Sequence, residues 1–219
     1  LASDFNLAAP ANTKVFSLTH RLHLTQPQAY IFDPELPYWI IYRNQLFDSV
    51  CRKLDFDVFE VFRDRQLTNK LLSSSGELRV LKSRNLSDDG KEILDIPGYD
   101  SYISYAAAKP LSVFQYLDAP NVYLTPNMTY KPRMMKKPPH CVVNGSLAIL
   151  IPKGGIVPTE KQLAYFSSEE YRAFYQIARN FQTRSLNVDA CSVFFYGLLR
   201  DEAKPAPEKF DTSVQLSFL

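Results

Sequence analysis

Asn127-Met128-Thr129-Tyr130-Lys131-Pro132-Arg133-Met134-Met135-Lys136-Lys137-Pro138-Pro139-His140 runs directly into Cys141-Val142-Val143-Asn144-Gly145-Ser146-Leu147-Ala148-Ile149-Leu150-Ile151. Pro132, with its fixed φ and missing N–H, stands between Lys131 and Arg133 and argues against a regular helix or a central strand there. The stretch reads as a basic loop leading into a buried strand pair. From Ala119 to Thr159 there is no carboxylate, whereas Lys131, Arg133, Lys136, Lys137 and Lys153 are all present. Such segregation of sign suits a polyanion, although a charge run is also the ordinary dress of a solvated face.

The whole chain supplies the bounds. Its 219 residues carry 25 basic against 23 acidic side chains, so net charge by itself points to no partner. The 46% hydrophobic content supports a sizeable core and excludes a disordered chain. Apolar runs fall short of the ~20 residues that span a bilayer, and no membrane partner is expected. The Leu1-Ala2-Ser3-Asp4 start has neither an initiator Met nor a signal pattern, as expected for a piece of something longer. Cys51, Cys141 and Cys191 stand singly, without zinc or disulfide spacing, and read as reduced thiols of a cytosolic protein.

Periodicity gives the elements. Phe16, Leu18, Leu22 and Leu24 alternate with polar residues and predict a strand. His20 and His23 on it lack further ligands for a metal site. Tyr38 to Tyr42 predicts another strand with Trp39 in the core, and Asn44 to Leu54 a helix with Leu46, Phe47, Val50 and Leu54 on one face. Glu77 to Leu86 predicts a strand. Tyr99, Tyr102 and Tyr105 suit packing or base stacking. Lys153-Gly154-Gly155 reads as a hairpin end, because no phosphate-loop pattern surrounds it. Ser168 to Arg184 is the strongest helix, with Ser167 and Glu170 at capping-box spacing and Tyr171, Phe174, Tyr175, Ala178 and Phe181 as its apolar face. Ser192 to Tyr196 predicts a buried strand, and Pro205 with Pro207 a linker.

Four segments resemble a known family. They are Phe62-Arg63-Asp64-Arg65-Gln66-Leu67-Thr68, Arg79-Val80-Leu81-Lys82-Ser83-Arg84-Asn85, Val143 to Leu150, and Gln182-Thr183-Arg184-Ser185-Leu186-Asn187. Together they resemble the C-terminal target-recognition region of adenine-specific DNA methyltransferases from type IIS restriction-modification systems. The order of elements is more distantly similar to target-recognition domains of type I specificity subunits. The resemblance covers roughly Leu54 to Gly197.

The resemblance implies an α/β (α+β) fold: a mixed, partly antiparallel twisted sheet with a few helices and long loops. It implies residues 1–54 as a lead-in, residues 55–200 as a target-recognition domain and residues 201–219 as a linker or tail. The family's glycine-rich donor loop and Asn-Pro-Pro-Tyr turn are missing from this sequence, since Pro138-Pro139 lacks the flanking Asn and aromatic residue. The expectation is a chain that is not itself an enzyme and holds no cofactor. S-adenosylmethionine then belongs to a catalytic methyltransferase domain of the same parent chain, in the bacterial cytoplasm.

The expected partner is double-stranded DNA. Arg63, Arg65, Lys70, Lys82, Lys131, Arg133, Lys136 and Lys137 are the candidates for phosphates. Arg84, Asn85, Asn127, Tyr130, Gln182, Arg184 and Asn187 are those for base edges, because Arg pairs with guanine and Asn or Gln with adenine. Two rivals stand beside this reading. A restriction nuclease would use carboxylates such as Asp88, Asp89 and Glu92, or Glu60 with Asp64. A subunit-interaction module of a restriction complex would bind protein instead.

Overall fold

The computed structural model describes residues 2–3, 12–17, 22–129, 131–182 and 187–201. In chain order the elements begin with β1 (Ala2–Ser3), β2 (Asn12–Ser17), β3 (Leu22–Pro27), α1 (Gln28–Ile31), α2 (Gln45–Lys53), β4 (Leu54–Asp55) and β5 (Phe59–Phe62). There follow β6 (Leu78–Leu81), β7 (Ser101–Ile103), α3 (Tyr105–Ala108), β8 (Tyr123–Pro126), β9 (Met135–Lys136) and β10 (Cys141–Val143). The chain closes with β11 (Leu147–Pro152), α4 (Glu160–Tyr165), α5 (Glu169–Ala178) and β12 (Leu198–Leu199). The fold is mixed α+β. No helix among the described residues is long and apolar enough to cross a membrane.

The apolar stretch after Pro139 forms the strand pair expected of it, but the two strands join different sheets. β10 runs parallel to β6, which pairs antiparallel with β7, while β11 is the second strand of an antiparallel sheet ordered β5-β11-β8-β9. Successive side chains of a strand point to opposite faces. Ala148 and Leu150 of β11 accordingly enter a core with Phe47, Tyr171, Phe174, Tyr175, Phe195 and Tyr196, while Leu147 and Ile149 enter a second core with Val80, Leu81, Val142 and Val143. A strand covered on both faces needs an unbroken apolar run, which is what Leu147 to Ile151 supplies.

Several predicted elements change in kind. Residues 38–42 form no strand: the Asn180 side chain accepts from Ile41 N and donates to Trp39 O, taking backbone groups that a ladder would need. Trp39 is not core but exposed, edge-on to Phe32. Ser192–Phe195 is a 3-10 segment, because the Asp189 carboxylate accepts from the backbone N–H groups of Cys191 and Ser192 and so starts a turn. α5 stops at Ala178 instead of reaching Arg184, since Asn180 and Phe181 both turn left-handed at φ 49°. Ser168, not Ser167, caps it by accepting from Tyr171 N, while Glu170 reaches out to Lys53 and Tyr165.

Candidate nucleic-acid interface

The registers place several strand ends together. β8 runs antiparallel to β11 with Pro126 opposite Leu147, and β5 does so with Phe62 opposite Ile149, so Asn127 and Arg63 emerge beside the start of β11. Parallel β6 and β10 end at Leu81 and Val143, and the chain crosses from β10 to β11 through Asn144-Gly145-Ser146. This short crossing is the hub.

Each neighbour is tied to it by a hydrogen bond. Asn144 N donates to Leu81 O at 3.1 Å and Ser83 N donates to Ser146 Oγ at 2.9 Å. Asn127 donates from its backbone to Ser146 O at 2.9 Å and from its side chain to Gly145 O at 3.0 Å. A Cβ on Gly145 would lie 2.6 Å from Asp64 O, so only glycine lets the Arg63-Asp64 turn approach. Asn127 also donates to Asn187 Oδ1 at 3.1 Å and accepts from Val188 N on both its oxygens. Arg179, buried at the end of α5, donates to Asn187 O. Three of the segments singled out in the sequence and Asn187 of the fourth therefore meet at one end of the molecule, with Asn127 as the clamp between the third and Asn187.

The candidate contact residues divide by burial. Asn85 is wholly buried: Lys82 N donates to its side chain, which itself donates to Leu94 O and Asp100 Oδ1. Asn127 is buried in the network just described. Neither has an amide edge left for a base, and both are corrected from base readers to loop supports. Arg133 is buried and donates to Lys131 O, Ser83 O and Leu86 O. Lys137 is buried and donates to Leu117 O at 2.7 Å and Pro138 O at 3.0 Å. Burial pushes the pKa of each of these two cations down. Their expected phosphate role is likewise corrected, because both carry out carbonyl satisfaction inside the fold. Asn187 is half-buried and its side chain accepts from Asn127.

The cations that face solvent near the hub are Arg65, Arg84 and Lys131, with Arg63 half-buried beside them. Lys131 meets Asp88 at 3.7 Å, an exposed pair. Asp64 is occupied by its own turn, accepting from Gln66 N and Leu67 N. Lys82 is half-buried, lies 3.9 Å from the centre of the Tyr99 ring and donates to Tyr99 O and to Ser101 Oγ. Burial lowers its pKa, with Asp100 opposing and Arg84 adding to the effect. Gln182 is exposed on the segment that leads to Asn187. Tyr130 and Arg184 lie outside the described residues.

Other candidates sit elsewhere. Lys70 is exposed in the 3-10 segment Asn69–Leu71, which leads toward the Ser73–Tyr102 bridge. Lys136 pairs with Tyr123 at the far end of β8 and lines a cleft of about 670 Å³ with Lys91, Lys161 and Glu160. Lys153 pairs with Asp57 at that far end of β11. The basic stretch therefore runs along the sheet and does not form one continuous rim.

At the hub the sequence reading missed the exposure of Met128 and the cation partners of Tyr99. Met128 is 64% exposed between buried Asn127 and the turn in which Thr129 Oγ1 accepts from Lys131 N. Tyr99 is the platform for two cations, a pairing across 15 and 17 residues that no local pattern could reveal. Among the described residues no three His, Cys, Asp or Glu side chains are grouped to hold a metal ion, and the Asp89 carboxylate is engaged by Ser87 Oγ and Lys91 N. No protein-family model matches the chain, and no curated protein matches it either.

Proposed function

We propose that this chain is a double-stranded DNA recognition module, the part of an adenine-specific DNA methyltransferase of a restriction-modification system that grips and reads the duplex. Methyl transfer from S-adenosylmethionine belongs in this reading to a catalytic domain of the parent protein, working in the bacterial cytoplasm. Base-extruding enzymes need the flanking duplex held while the target leaves the stack, and a recognition module meets that need.

The observation that carries the reading is the meeting of three family-like segments, and of Asn187 from the fourth, around Asn144-Gly145-Ser146. Arg65, Arg84 and Lys131 are exposed there, and Asp64 is turned inward. Arg63, Arg65 and Lys131 serve phosphates. Arg84 and Gln182 serve bases, and Met128 supplies an apolar contact of the kind that meets a thymine methyl. The buried Asn127, Asn85 and Arg133 hold the loops that present them.

Selection of bound duplexes from a randomised pool, followed by affinity measurement across salt concentrations, tests the proposal. The expected result is a defined sequence preference and an affinity that falls with salt by a log–log slope of about −0.9 per phosphate neutralised. Absence of any retained duplex at low salt, with capture of a protein partner instead, would replace this reading by the subunit-interaction one.

A further inference from the structure

The loop after β6 is pinned at every position but one. Lys82 N donates to Asn85 Oδ1 and Asn85 N donates back to Lys82 O at 2.8 Å, closing the 3-10 segment Ser83–Asn85. Ser83 N is held by Ser146, and Ser83 O and Leu86 O are held from beneath by Arg133. Asn85 points into the protein toward Asp100 and Leu94. Only the Arg84 side chain leaves the surface.

That side chain is itself placed. Its guanidinium lies 4.7 Å from the centre of the Tyr99 ring, a cation–π contact that restricts an otherwise free arginine. Lys82 shares the ring at 3.9 Å, so two cations stand together. The carboxylates of that neighbourhood are engaged elsewhere: Asp95 pairs with Arg79, and Asp100 accepts from Arg79, Asn85 and Ile96 N. Arg84 forms no hydrogen bond or ion pair among the described residues, which leaves its whole planar fork of N–H donors for a ligand.

We infer that Arg84 reads a guanine through the major groove, donating two parallel N–H bonds to its O6 and N7. The inference rests on the duplex-binding reading above and deepens it to one base and one edge. Guanine offers two adjacent acceptors that match a guanidinium fork, and that pairing is the commonest specific arginine contact in DNA recognition. A phosphate would need only charge. A ring-stacked arginine on a loop buttressed from below is the preorganised arrangement that a base edge rewards, because little freedom remains to be lost on binding. Lys82, the other cation at the ring, is already bonded to Tyr99 O and Ser101 Oγ and acts to hold the platform.

The test uses the full chain and the duplex chosen by selection, with each guanine replaced in turn by 7-deazaguanine, which keeps O6 and lacks N7. For the unmodified protein one position should lose roughly tenfold or more in affinity, the size of one good base contact. Arg84→Ala should bind the unmodified duplex more weakly, be indifferent to deazaguanine at that position and accept other bases there. Arg84→Lys, which keeps the charge but not the planar fork, should bind the unmodified duplex more weakly and lose less than the unmodified protein on deazaguanine at that position. Equal weakening of Arg84→Ala on every sequence, with the salt slope reduced by about 0.9, would assign Arg84 to a phosphate and overturn the inference. Unchanged affinity and selectivity of Arg84→Ala would overturn it too. Failure of the unmodified protein to prefer any sequence would instead remove the duplex reading on which the inference stands.

Discussion

Arg133 and Arg84 meet at the same loop, from opposite sides, and have opposite fates. Arg133 lies beneath it, 8% exposed, with its guanidinium bonded to the carbonyls of Ser83 and Leu86, whereas Arg84 stands on top over Tyr99. Lys137 and Lys131 repeat the contrast within one basic stretch, the first bonded to Leu117 O and Pro138 O and the second exposed beside Asp88. The difference is set by unpaired carbonyls. An irregular chain between short strands leaves C=O groups without a ladder partner, and a long cationic side chain can satisfy them at the cost of its own desolvation. A positive charge in such a sequence therefore marks either a ligand contact or a loop strut.

The sharpest way to break this division is to remove one cation of each kind and compare stabilities. Arg133→Met strands the Leu86 carbonyl and leaves Ser83 O with only the long 3.4 Å bond from Leu86 N, and should lower the unfolding free energy by about 2 kcal/mol, read by urea denaturation. Arg84→Met should change it by less than about 0.5 kcal/mol, as for an exposed residue. Equal losses would mean that Arg84 is a strut as well.

Lys137 sharpens the same contrast through pH. Burial lowers its pKa in the folded chain, against the opposing pull of Cys141 and Asp118, whereas the unfolded amine titrates at its ordinary value of ~10.4. Between the lowered value and the ordinary one the unfolded state binds more protons, so the stability contribution of Lys137 grows as pH rises through that window and is lost as pH falls through the lowered value. Denaturant unfolding across the alkaline range should therefore give wild type an upward slope relative to Lys137→Met.

Local pattern and tertiary partner explain which features were legible. The run from Cys141 to Ile151 announced two buried strands, and the helical spacing between Asn44 and Leu54 announced α2, because both depend on neighbours a few residues away. Ser192-Val193-Phe194-Phe195 looks like a strand by composition, yet Asp189 three residues earlier imposes a turn. Tyr38 to Tyr42 fails for a longer-range reason: its backbone partner is Asn180, 139 residues from Ile41. At the site, the family-like segments were visible one by one, but their common hub depends on Asn127, whose bonds to Gly145 and Asn187 span 18 and 60 residues. The burial of Asn85, Arg133 and Lys137 was invisible for the same reason, since composition shows a donor and never the acceptor that claims it.

The smallest expected effect makes the finest cut, because it separates the two ends of one sheet. Lys131 lies near the hub and pairs with Asp88 only at 3.7 Å, while Lys136 lies at the far end of β8 beside Lys91 and Lys161. An exposed ion pair of that kind is worth little, so Lys131 can exchange Asp88 for a DNA phosphate at almost no cost. Lys131→Gln should reduce the log–log salt slope by about 0.9, leave the selected sequence unchanged and weaken binding only a few-fold. Lys136→Gln should leave the slope where it was. If both variants lower it equally, the DNA backbone follows β9 from the hub into the lysine-lined cleft, and the contact surface is the length of the sheet and not its end.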